Sequence, residues 1–253
     1  MKFKKGVTFI IPCYNESNRI SLTINTLLKI SNNVKGLKIN IVAVNDGSTD
    51  STGKLLEYYQ KKIKYFRVVT HKNNMGLGLS IQSALTFVCM DKFMVVPGDN
   101  DLPYSTILNL ICLRNKADLI SCFFVDRENR GIIRGFLSSI FCLIYASFFD
   151  VPLQYINGPC MYSTKAAKNI SLKSERFSII AELNTKILKK GATFAEVISC
   201  RQTGSIGSSA LRLSSLFEAL KTFIVLLFEI HLLNKKRFSK KPVRIILQPI
   251  YEN

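Results

Sequence analysis

Apolar and polar positions alternate in blocks along the first half of the chain. Val7 to Cys13 is a near-continuous apolar run, a buried strand that ends in the polar turn Pro12-Cys13-Tyr14-Asn15-Glu16. From Ser17 the period changes to that of a helix, with Ile20, Ile24, Leu27 and Leu28 on one face. Lys38 to Val44 predicts a second strand, closed by Asn45-Asp46-Gly47-Ser48-Thr49-Asp50. A helix over Leu55 to Lys62, a strand over Phe66 to Thr70 and a helix over Gly78 to Cys89 follow. Next come a strand over Lys92 to Pro97, a helix over Pro103 to Leu113 and a strand over Ala117 to Cys122. Strands that alternate with helices in this way form a parallel sheet covered on both faces. Ligands of such sheets bind outside the carboxyl ends of the strands. Glu16, Asp46 and Asp99 all stand at predicted strand exits, so they are expected to converge on one cleft.

The pattern changes after residue 125. Ile132 to Phe149 predicts one apolar helix, and an irregular stretch containing Asn157-Gly158-Pro159 follows it. Phe177 to Lys190 reads as a helix, Thr193 to Cys200 as a strand, and Gly204 to Ser209 as a loop. Ser214 to Leu233 predicts a long amphipathic helix with Leu213, Leu216, Phe217, Leu220, Ile224 and Leu227 on one stripe. Five Lys or Arg in seven residues, 235 to 241, come next. These features divide the chain into a domain over residues 1–212 and an amphipathic helix with a basic tail over 213–253.

With 253 residues, 47% of them apolar, the chain can bury a large core and is not a disordered polymer. The formal charge of +18 favours a polyanionic partner: nucleic acid, an anionic membrane surface or phosphorylated substrates. No nucleic-acid-binding motif accompanies it. Seven cysteines without a C-x-x-C pair point to a reducing compartment, and two histidines exclude a histidine-rich metal site. The apolar run behind the basic start is too short for a signal peptide, so a cytosolic first strand is expected. The uncharged run Gly135 to Phe149 falls short of the roughly 20 residues a spanning helix needs. It can be an ordinary core helix, and its aromatic residues, beside Arg127, Arg130 and Arg134, also suit a helix at a lipid interface, the reading favoured here.

The chemistry concentrates at Asp99-Asn100-Asp101. Two carboxylates two residues apart at a strand exit suit a hard divalent cation, which takes one or two carboxylates and leaves its other positions to phosphate and water. Pro12 to Glu16, Val44 to Asp50, Asn74-Met75-Gly76-Leu77-Gly78 and Asp99 to Leu102, in this order, resemble the family 2 glycosyltransferases. Asn157-Gly158, Glu182, Glu196-Val197-Ile198 and Arg201-x-x-Gly204 are similar to the dolichol-phosphate mannosyltransferase branch. The resemblance implies an α/β fold of the GT-A (Rossmann-like) type, a mostly parallel sheet flanked by helices, with a C-terminal amphipathic helix. It implies that Pro12, Tyr14 and Glu16 line a nucleotide pocket, with Val44 and Asp46 at the base and ribose. Asp99 and Asp101 would hold Mg²⁺ or Mn²⁺, and Arg134 and Arg201 would steady phosphates of donor or acceptor. The implied partners are a GDP- or UDP-sugar donor, a polyprenyl phosphate acceptor and, peripherally, the cytosolic face of a membrane. A homo-oligomer or a membrane anchor protein would complete the assembly, and nucleic acid is not among the partners.

Three positions depart from the branch. Pro103 stands where a glutamine is common, Phe123 and Phe124 where an arginine is, and Ser205-Ile206-Gly207-Ser208-Ser209 where a small basic ending is. The region Ile156 to Cys160 holds no carboxylate to act as a base, which fits a phosphate acceptor already ionised at neutral pH. Transfer to a saccharide hydroxyl would need such a base, with Asp126 or Asp150 as candidates. A non-catalytic nucleotide-sugar or membrane-binding homologue is the other alternative. Glu182 reads as the structural partner of a nearby basic group.

Overall fold

A computed structural model describes residues 3–125, 132–199 and 213–247. Strands β1 (Lys4–Cys13), β2 (Ile39–Asp46), β3 (Phe66–His71), β4 (Met90–Val95) and β5 (Leu119–Phe124) alternate with helices α1 (Ile20–Asn33), α2 (Thr52–Lys62), α3 (Leu77–Leu85) and α4 (Tyr104–Leu113). Then come α5 (Ile132–Phe149), β6 (Cys160–Ser163), a single turn α6 (Thr164–Ala167), α7 (Ile179–Lys189) and β7 (Thr193–Ser199). Helix α8 (Leu213–Phe228) runs into a π-helical turn, Glu229–Leu233, and β8 (Val243–Arg244) follows. The eight strands form one sheet in the order β3-β2-β1-β4-β6-β5-β7-β8. The pairings are parallel except those of β6, which is antiparallel to both β4 and β5.

The two-residue period of the strands divides the core. Val7, Phe9, Ile11 and Cys13 of β1 point to one face, with Ile39, Ile41 and Ala43 of β2, and pack against α1, α2 and α4. Ile10, Val42 and Val44 point to the other face, where Ala84 of α3, Tyr145 and Phe149 of α5, Leu183 of α7 and Leu226 of α8 cover them. Thr8, fully buried in β1, accepts the N–H of Met90 through its hydroxyl at 3.3 Å, so its polarity is satisfied inside the core.

The expected mostly parallel α/β sheet is observed, and α5 spans the residues expected of it. Helix α3 stops four residues short of the expected Cys89: Thr86 and Phe87 form a turn, and buried Met90 already pairs with β1. The stretch expected to be irregular contains β6. Its four residues are all buried, and it inserts between β4 and β5 with Phe93 opposite Tyr162 and Leu119 opposite Tyr162. Among the described residues no helix is long and apolar enough to cross a membrane. The loop over Gly204 to Ser209 lies outside the described residues.

Candidate active site

Strands β1, β2 and β4 end side by side. Pro12 lies opposite Val44 and Cys13 opposite Asn45, while the N–H of Gly98 reaches the carbonyl of Pro12 at 3.3 Å. The turn after β1 is pinned to the turn after β2. Asn15, in the left-handed region at φ 57°, accepts the Thr49 N–H at 2.8 Å through its side-chain oxygen and donates its own N–H to Ser48 Oγ at 3.1 Å. The Glu16 N–H donates to Thr52 Oγ1 at 2.8 Å, and Asp50 accepts from the N–H groups of Ser17 and Thr52. Against the cost of its partial burial, these bonds hold Asp50 at about 2. Gly47 completes the turn at φ 68°, a conformation that glycine adopts without strain, and a Cβ there would meet the backbone of Asn73 at 2.3 Å.

Asp46 ends β2 with every oxygen engaged. Its Oδ1 accepts the Met75 N–H at 2.9 Å and meets His71 Nδ1 at 2.7 Å, and its Oδ2 accepts the Gly76 N–H at 2.8 Å. His71, the last residue of β3, is held on its other side by Ser83 Oγ at 3.0 Å. Gly76 sits at φ 95° just ahead of α3, where a Cβ would press on the carbonyl of Glu175. Asp46 therefore shapes the wall of the cleft by fixing the loop after β3.

Asp99 and Asp101, at the exit of β4, are arranged differently. Asn100 between them is left-handed at φ 55°, and the Asp101 N–H reaches Asp99 Oδ1 at 3.1 Å. Arg19 Nη1 contacts the Asp99 carbonyl at 3.5 Å, and Thr23 Oγ1 donates to the Gly98 carbonyl at 3.0 Å. A Cβ on Gly98 would lie 3.4 Å from Glu16 Cγ, which places Glu16 directly beside this turn. Burial raises Asp99 most; the Asp101 N–H offsets part of that and the Asp101 charge adds to it. Burial and then the Asp99 charge push Glu16 up. The thiol of Cys13 beneath them is raised by burial, then by Glu16 and Asp99. Three carboxylates thus share a half-buried corner in which Asp99 repels Glu16 and is repelled by Asp101.

Such a corner suits a cation. Among the described residues no group of three or more His, Cys, Asp or Glu could hold a metal ion. The donor set fits a hard cation that takes one or two carboxylates and completes its shell with phosphate and water. Pro103 begins α4 with φ −60° and supplies no ligand.

The structure brings together Pro12, Glu16, Asp99 and Asp101, with Tyr14 exposed at the rim. Val44, expected at the base, is fully buried in the core, and Asp46 is committed to the loop after β3. Arg134 belongs to α5, and its side chain lies outside the described residues, as does Arg201. Glu182 is the expected structural partner: it pairs with Lys186 at 2.7 Å and accepts the N–H groups of Lys173 and Ser174. Reading the sequence overlooked His71, although it stands at a strand exit like the three acids, and Arg19, which lies one helical turn beyond the Glu16 turn.

The sequence profile described as "Glycosyl transferase family 2" matches residues 8–136, about half of the chain. Poly-β-1,6-N-acetyl-D-glucosamine synthase of Staphylococcus aureus is 34% identical over 111 residues, which are 42% of this chain and 25% of that protein. A dolichyl-phosphate β-glucosyltransferase of Trichomonas vaginalis is 30% identical over 96 residues, 36% of this chain and 28% of that protein. The chain thus spans about a quarter of the length of the curated relatives it matches. Among solved structures, glucosyl-3-phosphoglycerate synthase from Mycobacterium tuberculosis with UDP superposes with a TM-score of 0.62 at 15% identity, over 89% of this chain and 79% of that one. TarS 1-349 of S. aureus with UDP-GlcNAc superposes with a TM-score of 0.61 at 20% identity, over 88% and 66%. These likenesses establish the fold. The profile match starts in β1 and ends in α5, so it takes in each strand exit that carries a site acid, and on that ground the chain belongs to glycosyl transferase family 2.

Proposed function

We propose that the protein transfers a sugar, with inversion, from a GDP- or UDP-sugar to a polyprenyl phosphate at the cytosolic face of a membrane. The observation that carries this reading is the repelling carboxylate corner of Glu16, Asp99 and Asp101 at the carboxyl ends of β1 and β4. Asp99 and Asp101 would hold Mg²⁺ or Mn²⁺, whose chemistry is to neutralise the leaving diphosphate as a Lewis acid. Structures of glucosyl-3-phosphoglycerate synthase contain Mn²⁺ with UDP, which supports a divalent cation in this fold. The turns after β1 and β2, pinned by Asn15 and Asp50, and the loop fixed by Asp46 would form the nucleotide cradle. The side chain of Tyr14 would offer a face to the base.

The acceptor argument is one of proton balance. An attacking phosphate oxygen forms the new bond to the anomeric carbon while the bond from that carbon to the donor's β-phosphate oxygen breaks, and the nucleoside diphosphate leaves. A phosphate monoester has a second pKa of about 6 and arrives without a proton to lose. The segment Ile156 to Cys160, packed on the end of β5 through the Cys122 N–H to Pro159 carbonyl bond, carries no carboxylate. The second reading is transfer to a saccharide hydroxyl, favoured by the S. aureus relative named as a poly-N-acetylglucosamine synthase. It needs a base. Asp150, one candidate, caps the far end of α5, and Asp126 lies outside the described residues.

The test is a donor and acceptor screen. The protein is incubated with GDP- and UDP-sugars, Mn²⁺ or Mg²⁺, and either a short polyprenyl phosphate or an oligosaccharide, and products are read by mass spectrometry. A glycosyl-phosphate-lipid that disappears with EDTA is the expected result. Glycosylation of the oligosaccharide alone would move the assignment to the second reading. Absence of nucleotide binding across the panel would leave a non-catalytic homologue.

A further inference from the structure

Helices α5 and α8 meet at Phe223. Phe223 of α8 meets Tyr145, Phe148 and Phe149 of α5 with ring centroids 5.6, 5.4 and 5.4 Å apart, and His231 Nε2 bonds the Phe148 carbonyl at 2.8 Å. Their inward faces belong to the core. Their outward faces are also apolar: Leu143 and Phe148 of α5 are 65% and 52% exposed, and Phe217, Leu220 and Phe228 of α8 are 73%, 56% and 52% exposed. The spacing of these α8 residues, by three and then eight, keeps them on one stripe. Single exposed apolar side chains are ordinary, but two helices that meet and both turn several large apolar side chains outward mark an interaction surface.

Charge identifies the occupant. From Gly135 to Phe149 the α5 sequence has no charged residue. The two acids on α8 and its π-helical end are both turned toward the protein. Glu218 accepts from Ser178 Oγ at 2.7 Å, and Glu229 is buried between Lys173 and Lys186, each at 2.9 Å. The chain that leaves this helix then presents exposed Lys235, Lys236, Lys240 and Lys241. The surface is therefore apolar in the middle and basic at one rim, with the exposed Asp150 just past the end of α5 as a single acid beside it. A second copy has the same surplus of positive charge and offers the single exposed Asp150 against four exposed lysines. A bilayer with anionic headgroups supplies both complements.

We infer that the α5–α8 pair is the membrane-embedding face of the protein, lying in the plane of the headgroup and acyl boundary with the 235–241 segment against anionic lipid. Helices of this kind sink about 5–10 Å into the interface. At about 1.5 Å per residue the 18-residue α5 lies along the surface for about 27 Å. The ion pairs of Glu229 with Lys173 and Lys186 fix α8 to α7 and its preceding loop, so the face is a rigid platform attached to the domain that carries the cleft. The inference deepens the proposed function by specifying how the protein meets a lipid acceptor, yet it is read without catalysis.

The experiment is flotation of the full chain with vesicles of phosphatidylcholine alone or with phosphatidylglycerol, together with light scattering for oligomeric state. Wild type is expected to float with the anionic vesicles and to lose binding at least tenfold in Leu143→Glu and Phe217→Glu. It should weaken roughly fivefold for each of Lys235, Lys236, Lys240 and Lys241 changed to Gln. Leu22→Glu, which alters an exposed apolar residue on α1, should bind as wild type does, and circular dichroism checks that each variant folds. Three results would overturn the inference: no binding to anionic vesicles, equal binding to neutral ones, or a stable dimer that Leu143→Glu dissociates while vesicle binding is unchanged. Glycosyl transfer that survives in solution while the α5 and α8 variants fail to float would separate this inference from the proposed reaction.

Discussion

Asp46 and Asp99 stand in equivalent places, each at or just beyond the exit of a parallel strand, and they are physically opposite. Asp46 is almost completely buried, and His71 and the N–H groups of Met75 and Gly76 occupy both of its oxygens. Asp99 is half-buried beside Glu16 and Asp101, which resist its ionisation along with burial. One carboxylate is already solvated by the protein, so it holds a loop. The other has Arg19 nearby but faces two further carboxylates, so it is fit to receive more positive charge. A strand-exit position identifies the cleft, and the partner count of each carboxylate distinguishes the wall of that cleft from its chemistry.

The largest effect that would break this contrast is on activity. Asp101→Ala is expected to lower kcat/KM of glycosyl transfer about a thousandfold, ~4 kcal/mol of transition-state stabilisation, with the melting temperature unchanged or raised. Steady-state kinetics beside calorimetry would show it, and a variant that unfolds instead would place Asp101 with the structural acids. Asp46→Ala is expected to do the reverse in stability. It leaves two part-buried N–H groups and a histidine ring without their acceptor, a loss of about 3 kcal/mol in denaturant unfolding. A loss below about 1 kcal/mol would mean that the loop after β3 is held by something else.

A finer test uses pH. Asp99 and Glu16 have folded values above their ordinary ones, so they bind protons more readily in the folded state. Their penalty is fully present at neutral pH and is relieved as pH falls through those raised values. Asp99→Asn should therefore be more stable than wild type at pH 7, and the difference should close on acidification. Asp50 has the opposite sign. Its folded value of about 2 lies below the ordinary 3.8, so its contribution is present above the ordinary value and lost as pH falls toward about 2. Asp50→Ala should be the less stable partner at neutral pH, by only a few degrees in melting temperature, with that difference also closing in acid. Curves of the same sign for the two variants would erase the contrast.

The sequence revealed some of these features because they are local. The alternation of apolar runs with helical periods located β1 to β5 and α1 to α5. Glu182 read as the structural partner of a nearby basic group, and the structure supplies that group as Lys186, one helical turn on, at 2.7 Å. Strand β6 could not be read in this way: four buried residues have no polar face to alternate with, and their partners, β4 and β5, are set by the topology of the sheet. The clamp role of Asp46 was hidden for a similar reason. Its three partners lie 25 to 30 residues away, on a strand end and a loop whose approach depends on the completed fold. Val44, which the resemblance implies at the base, has its side chain in the core and its backbone opposite Pro12 at the strand exit.

The measurement that tests the central claim most directly is a calorimetric titration of UDP and GDP into the protein with and without Mn²⁺, repeated on Asp99→Asn and Asp101→Asn. The carboxylate corner predicts that one nucleotide binds at least tenfold more tightly with Mn²⁺ present, and that either substitution abolishes the gain while leaving metal-free binding in place. Nucleotide affinity that is indifferent to Mn²⁺ and to both substitutions would contradict the account.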